Sequence, residues 1–187
     1  LFLGRLHFKK GLDLLIPAFD ALRRRVPDAQ LVIAGPENDD YGQQVRGWVR
    51  ERGLQAAVHF VGPLQGADVV QAYVDADVFA LPSYTENFGM TVVEALACAL
   101  PVVISDQVNI HAEISGAGAG LVTRCDADEV AQALEALLSD SERRRAMGEA
   151  GRRLVQARFT WPTIVDALTA EYERVIARRP RTRSVLS

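Results

Sequence analysis

The feature that most constrains this chain is a set of six short, continuous apolar runs: Leu1–Gly4, Leu31–Gly35, Val58–Gly62, Val78–Leu81, Val102–Ser105 and Leu121–Thr123. Runs of this length without polar alternation are what strands buried on both faces require. Between them lie stretches with helical spacing, such as Leu12, Leu15, Ile16, Phe19 and Leu22. Strand followed by helix, repeated, predicts an α/β fold: a doubly wound parallel sheet of about six strands with helices on both faces. Turn residues agree, since Gly35-Pro36, Gly62-Pro63 and Leu81-Pro82-Ser83 each close a run. From about Asp126 onward the pattern is helical only, predicting Ala127–Leu138, Ser141–Arg158 and Pro162–Arg178 as a helical extension, with residues 179–187 a loose basic tail.

Length and composition narrow the possibilities. At 187 residues one compact core is expected, with residues 1–178 forming it. A net charge of -3 gives no footprint for a nucleic-acid partner. Cys98 and Cys125 have no metal or redox spacing, which suits free thiols in a reducing, cytoplasmic setting. No apolar run approaches the roughly 18 residues that span a bilayer. The chain opens on Leu1-Phe2-Leu3-Gly4, partway through a core strand, and so is expected to be a fragment of a larger two-domain protein.

In open parallel sheets ligands sit beyond the carboxyl ends of the strands, so chemistry is sought in those loops. The fullest is Pro82-Ser83-Tyr84-Thr85-Glu86-Asn87-Phe88-Gly89-Met90-Thr91-Val92-Val93-Glu94. It places Glu86 in a loop and Glu94 in the second turn of the following helix. The amides around Phe88, Gly89 and Met90 begin that helix, where free N–H groups and the positive end of the dipole favour a phosphate. Two carboxylates flanking an anion site suit a ligand that joins phosphate to hydroxyl-rich groups. The competing reading makes Glu86 a solvated loop residue and Glu94 a salt-bridged one. A second loop, Gly4-Arg5-Leu6-His7-Phe8-Lys9-Lys10-Gly11, carries a planar fork and a flexible point charge, both fit for a diphosphate; alternatively its cations are merely exposed.

Gly4-Arg5 with Lys10-Gly11, then Ile33-Ala34-Gly35-Pro36, Phe60-Val61-Gly62 and the Glu86–Glu94 pair occur in this order. Together they resemble the carboxyl-terminal, donor-binding domain of retaining glycosyltransferases of family 4, also called group 1, which have a GT-B fold. The resemblance runs from residue 1 to about residue 177. It implies that Arg5, Lys10 and Glu86 are the catalytic residues, the two cations neutralising the donor diphosphate and Glu86 holding hydroxyls of the transferred sugar. It implies a nucleotide site made by Glu94 on the ribose, by the amides of Asn87, Phe88, Gly89 and Met90, and by the loops with Gly35, Val58 and Phe60 around the base. No metal and no cofactor are implied; the nucleotide diphosphate sugar is the donor substrate. The partner implied is a missing amino-terminal acceptor domain, and Trp161 with the last helix resembles the segment that crosses back to it. A nucleotide-sugar epimerase of the same architecture or a non-catalytic binding module are the alternatives. Two departures stand out: Ala99, where relatives carry Gly, and Ala112, where a long polar side chain is usual.

Other signals are read structurally. Asp75-Ala76-Asp77 and Asp126-Ala127-Asp128 match a D-x-D pattern, yet Asp126 also suits a helix cap. The glycines at 116, 118 and 120 precede a strand instead of following one, so they predict a turn. The scattered His7, His59 and His111 do not suggest zinc. Arg178, Arg179, Arg181 and Arg183 suit peripheral contact with anionic lipid.

Overall fold

A computed structural model describes residues 1–37 and 39–178. The predicted tail, residues 179–187, lies outside the described residues, and with it Arg179, Arg181 and Arg183 of the lipid-contact expectation. The elements alternate as the sequence pattern requires: β1 (Phe2–Leu3), α1 (Leu12–Arg23), β2 (Leu31–Ala34), α2 (Asp39–Glu51), β3 (Val58–Gly62) and α3 (Ala67–Asp75). Then come β4 (Phe79–Leu81), α4 (Met90–Ala97), β5 (Val102–Ser105), α5 (His111–Ala117) and β6 (Gly120–Thr123). Three helices finish the described chain: α6 (Ala127–Leu138), α7 (Ser141–Arg158) and α8 (Trp161–Arg178).

The six strands form two three-stranded parallel sheets, β1-β2-β3 and β4-β5-β6. These abut along β1 and β4, where the Ala80 N–H donates to the Leu1 carbonyl at 2.9 Å and the Leu1 nitrogen donates to the Val78 carbonyl at 2.8 Å. The spatial order is therefore 3-2-1-4-5-6, the doubly wound arrangement. Its consequence for the site is simple: the loops after β1 and β4 become neighbours although 76 residues separate Lys10 from Glu86.

The core follows from the sequence pattern. Every residue of β4 and β5 is buried, as strands covered on both faces must be. Helices α1 and α6 pack against each other, and α4 packs on α7. The second contact needs glycine: a Cβ on Gly151 would lie 2.5 Å from Leu96 Cδ2, and one on Gly148 would lie 1.9 Å from the Ala99 carbonyl oxygen. Helix starts are set locally. Asp126 accepts from the Glu129 N–H at 3.0 Å and Asp140 from the Arg143 N–H at 2.9 Å, each satisfying an otherwise orphaned donor.

Helix α4 ends where the departure at Ala99 was noted. The Ala99 N–H donates to the Leu96 carbonyl and the Leu100 N–H to the Ala95 carbonyl, both at 3.0 Å. That pair of bonds is the Schellman motif, which places the residue after the cap at positive φ. Ala99 has φ 58° and is the only non-glycine residue with positive φ among those described. Helix α5 closes with the same two bonds, but there Gly118 occupies the left-handed position.

Helix α8 differs from the others. Trp161, Val165, Leu168, Tyr172 and Val175 are exposed and recur at i, i+4, i+7, i+11 and i+14, an apolar stripe along one face. Among the described residues, no helix is long and apolar enough to cross a membrane.

Candidate functional site at the carboxyl ends of the strands

The first loop is drawn tight by two glycines. Gly35 has φ 144°, and a Cβ there would lie 1.9 Å from the Gly4 carbonyl oxygen, so the ends of β1 and β2 approach as only glycine permits. Beyond them Arg5 is exposed, while Leu6 is buried and its N–H donates to the Pro36 carbonyl at 2.9 Å. His7 then caps a short 3-10 turn over Phe8–Lys10, its Nδ1 accepting from the Lys9 N–H at 3.3 Å. Gly11 follows at φ 71°, where a Cβ would lie 2.0 Å from the Pro82 carbonyl oxygen and so has no room. This close approach clamps the β1 loop onto the β4 loop.

Further bonds hold the two loops together. The Tyr84 N–H donates to the Lys9 carbonyl at 2.8 Å, and the Tyr84 hydroxyl donates to Asp13 Oδ2 at 2.7 Å. The Ser105 hydroxyl donates to the Ser83 carbonyl, tying β5 to the same loop. The Glu86 N–H donates to the Gln107 carbonyl and its carbonyl accepts from Asn109 N–H, at 3.1 and 3.0 Å. Glu86 is thereby fixed at both backbone groups, and its half-buried carboxylate forms an ion pair with the Lys10 ammonium.

Gly89, at φ 75° and ψ 60°, is the cap of α4, and no side chain caps the N–H groups there. That leaves the helix start open to an anion. Phe88 beside it is partly exposed and meets Phe159 edge to face, with centroids 5.5 Å apart. Met90 is exposed. Glu94 is exposed on the second turn of α4 and accepts from the Tyr73 hydroxyl at 2.9 Å.

The predicted residues thus divide into groups. Lys10, Glu86 and the α4 start with Asn87, Phe88, Gly89 and Met90 share the β1–β4 loop junction, and Arg5 lies on the same first loop. Glu94 is held separately, by α3. The two glutamates therefore do not share a cation: Lys10 takes Glu86, and Glu94 forms no salt bridge among the described residues. Gly35 sits at the end of β2, as expected. Val58 requires correction. It opens β3, is buried, and pairs with Leu31 at the amino end of β2. Four residues of extended strand, about 13 Å, separate it from Gly62 at the carboxyl end of β3, so it is a core residue. Phe60 is half-buried beneath the Arg46 guanidinium, 4.1 Å from the ring centroid, and Arg46 is in turn ion-paired with Glu37.

Sequence reasoning missed Tyr73, Tyr84, Asp13, Glu37 and Arg46. Each is an ordinary residue in a helix or loop and gains its partner only by folding; Tyr73 and Glu94 are 21 residues apart. Burial, reinforced by the carboxylate each donates to, pushes the Tyr73 and Tyr84 hydroxyls well above the usual tyrosine range. Burial also pushes the Cys98 and Cys125 thiols up, so neither is a ready thiolate nucleophile. Three of the D-x-D aspartates have structural partners: Asp126 is a cap, Asp77 pairs with Arg144 at 3.2 Å, and Asp75 accepts from the Gln71 amide at 2.7 Å. Among the described residues, no three His, Cys, Asp or Glu side chains cluster as metal ligands.

Comparison with known proteins adds to this geometry. The family model "Glycosyl transferases group 1" matches residues 1–154. The D-inositol 3-phosphate glycosyltransferase of Corynebacterium aurimucosum is 35% identical over 95% of this chain and 45% of its own length. Among solved structures, sucrose-phosphate synthase from Thermosynechococcus elongatus is 31% identical with a TM-score of 0.79, covering 95% of this chain and 46% of that one. Anabaena Alr3699/HepE, solved in complex with UDP, has a TM-score of 0.84 at 23% identity, covering 92% and 48%, and shares the fold. The chain spans less than half the length of these relatives.

Proposed function

The chain belongs to the group 1 glycosyl transferases, and on that premise we propose that it forms the donor-binding domain of a retaining enzyme that takes a sugar from a nucleotide diphosphate sugar. The observation that carries the reading is the convergence of Lys10, Glu86 and the uncapped start of α4 at one strand-end junction. A diphosphate seated on the α4 amides would meet the Lys10 ammonium directly and the Arg5 fork from the adjoining loop. The Lys10–Glu86 pair keeps that cation aimed at the junction, and the carboxylate is then positioned to accept hydrogen bonds from sugar hydroxyls. Glu94, one helical turn beyond the phosphate position, accepts from the ribose. Positive charge comes from side chains, so the site requires no metal to hold the diphosphate.

Transfer itself needs a second wall that brings the acceptor and excludes water. The reading assigns that role to an acceptor-binding domain outside this sequence. The exposed stripe on α8 supports it, because a soluble surface rarely leaves five large apolar side chains in line without a cover. The chain alone is then expected to bind nucleotide and to transfer sugar negligibly.

The test is calorimetric titration with UDP, GDP and ADP and with their sugar conjugates, each with and without a chelator. Binding of one nucleoside diphosphate, unchanged by the chelator, supports the reading and identifies the base. Failure of every nucleotide to bind the folded chain would refute it.

A further inference from the structure

Glu86 and Glu94 are restrained in different ways. Glu86 is held by a cation and by both of its backbone groups. Glu94 projects from the exposed side of α4, and among the described residues its one side-chain partner is the Tyr73 hydroxyl, which donates to Oε2 at 2.9 Å. The Tyr73 ring is 2% exposed and packs on Phe79 with centroids 5.9 Å apart. A ring enclosed in this way keeps a single rotamer, so its hydroxyl is a fixed point in space. An exposed glutamate on a helix surface samples several rotamers and must lose that freedom when it grips a ligand. A bond from a fixed donor to one oxygen selects a rotamer beforehand and leaves the second oxygen to accept from outside.

We propose that Tyr73 is a positioning residue for nucleotide binding, holding one carboxylate oxygen of Glu94 so that the other faces the vicinal hydroxyls of the donor ribose. The inference rests on the reading of Glu94 as the ribose acceptor. Tyr73 donates in only one direction, because burial and the neighbouring carboxylate keep its proton in place throughout the working pH range. Its structural role alone, satisfying a buried phenol, would make the same contact but leave no mark on which ligand atoms are felt.

The experiment separates these roles. The nucleoside diphosphate that binds tightest among UDP, GDP and ADP is titrated into wild type, Tyr73→Phe, Glu94→Ala and the double variant, and its 2′,3′-dideoxy form is titrated in parallel. Phenylalanine keeps the ring packing, and thermal unfolding verifies that each variant folds. Tyr73→Phe is expected to weaken the ribose form about three- to tenfold, as the loss of one pre-set hydrogen-bonded rotamer would. It should leave the dideoxy form unchanged and add nothing to Glu94→Ala. Equal effects on both ligands, or no effect while Glu94→Ala remains selective for the ribose form, would overturn the role of Tyr73 and leave the donor reading intact. If Glu94→Ala itself spares the ribose form, or no nucleotide binds, the reading of Glu94 fails and the inference falls with it.

Discussion

Replacing Ala99 by glycine should stabilise this chain, the reverse of what glycine does elsewhere in a helix. The Schellman bonds from Ala99 and Leu100 to the last turn of α4 fix Ala99 at φ 58°. For an L-residue that conformation costs roughly 1–2 kcal/mol from the contact between Cβ and the carbonyl. Glycine removes the cost but adds unfolded-chain entropy worth about 0.4–1 kcal/mol. The difference is a gain of about 0.5–1 kcal/mol, since the half-buried methyl contributes little. For a chain of this size that corresponds to a rise in Tm of about 1–4 °C. Thermal and urea unfolding of Ala99→Gly measure it, with Ala146→Gly on the exposed side of α7 as the control, expected to lose about 1 kcal/mol. An Ala99→Gly chain no more stable than wild type, beside a control that behaves as stated, would refute the assignment of strain to this residue.

Gly148→Ala should cost about 1–3 kcal/mol in the same assays, because its Cβ would lie 1.9 Å from the Ala99 carbonyl oxygen; Ala99→Gly should not rescue it, since the obstacle is backbone. Glu94→Ala should remove charge-assisted bonds worth about 1.5–3 kcal/mol of nucleotide affinity, an unchanged dissociation constant counting against its role. Arg5→Ala should weaken a nucleoside diphosphate far more than the corresponding nucleoside, and equal losses by calorimetry would exclude a diphosphate contact. Stability should fall as pH rises past 10. Tyr41 is pushed up to about 12, chiefly by burial, and Tyr73 and Tyr84 further. Raised values mean that the stabilisation is fully present below pH 10 and is lost as the unfolded chain sheds protons that the folded chain keeps. Urea midpoints between pH 8 and 11.5 measure this, and Tyr73→Phe should flatten the slope.

Much of the fold could be read from local pattern, and the reason is that local pattern encodes burial. An uninterrupted run such as Val102–Ser105 suits only a strand covered on both faces, and all four of its residues are buried. Asp126 marked a helix start because a short side-chain acceptor satisfies an orphaned N–H wherever the rest of the chain goes. The β4 loop was recognisable for a similar reason: a glycine before an apolar helix leaves that helix uncapped, and Glu86 and Glu94 lie at fixed distances around it. The β3 assignment shows where such reading stops. Val58 and Gly62 belong to one run, and a run marks a buried strand without marking which of its residues reach the loop beyond it.

What the tertiary structure alone decided are the contacts between segments distant in sequence. The order 3-2-1-4-5-6 sets β1 beside β4, which brings Lys10 to Glu86 and presses Gly11 against Pro82. The packing of α3 near α4 gives Glu94 to Tyr73, and the packing of α7 on α4 makes Gly148 indispensable beside a strained Ala99. None of these pairs has a sequence signal, because a side chain's own periodicity records whether it is buried and not what it is buried against. The sequence by itself determined a parallel α/β domain and pointed to the strand-end loops as its candidate site. Strand order and helix packing determined which carboxylate meets which partner there.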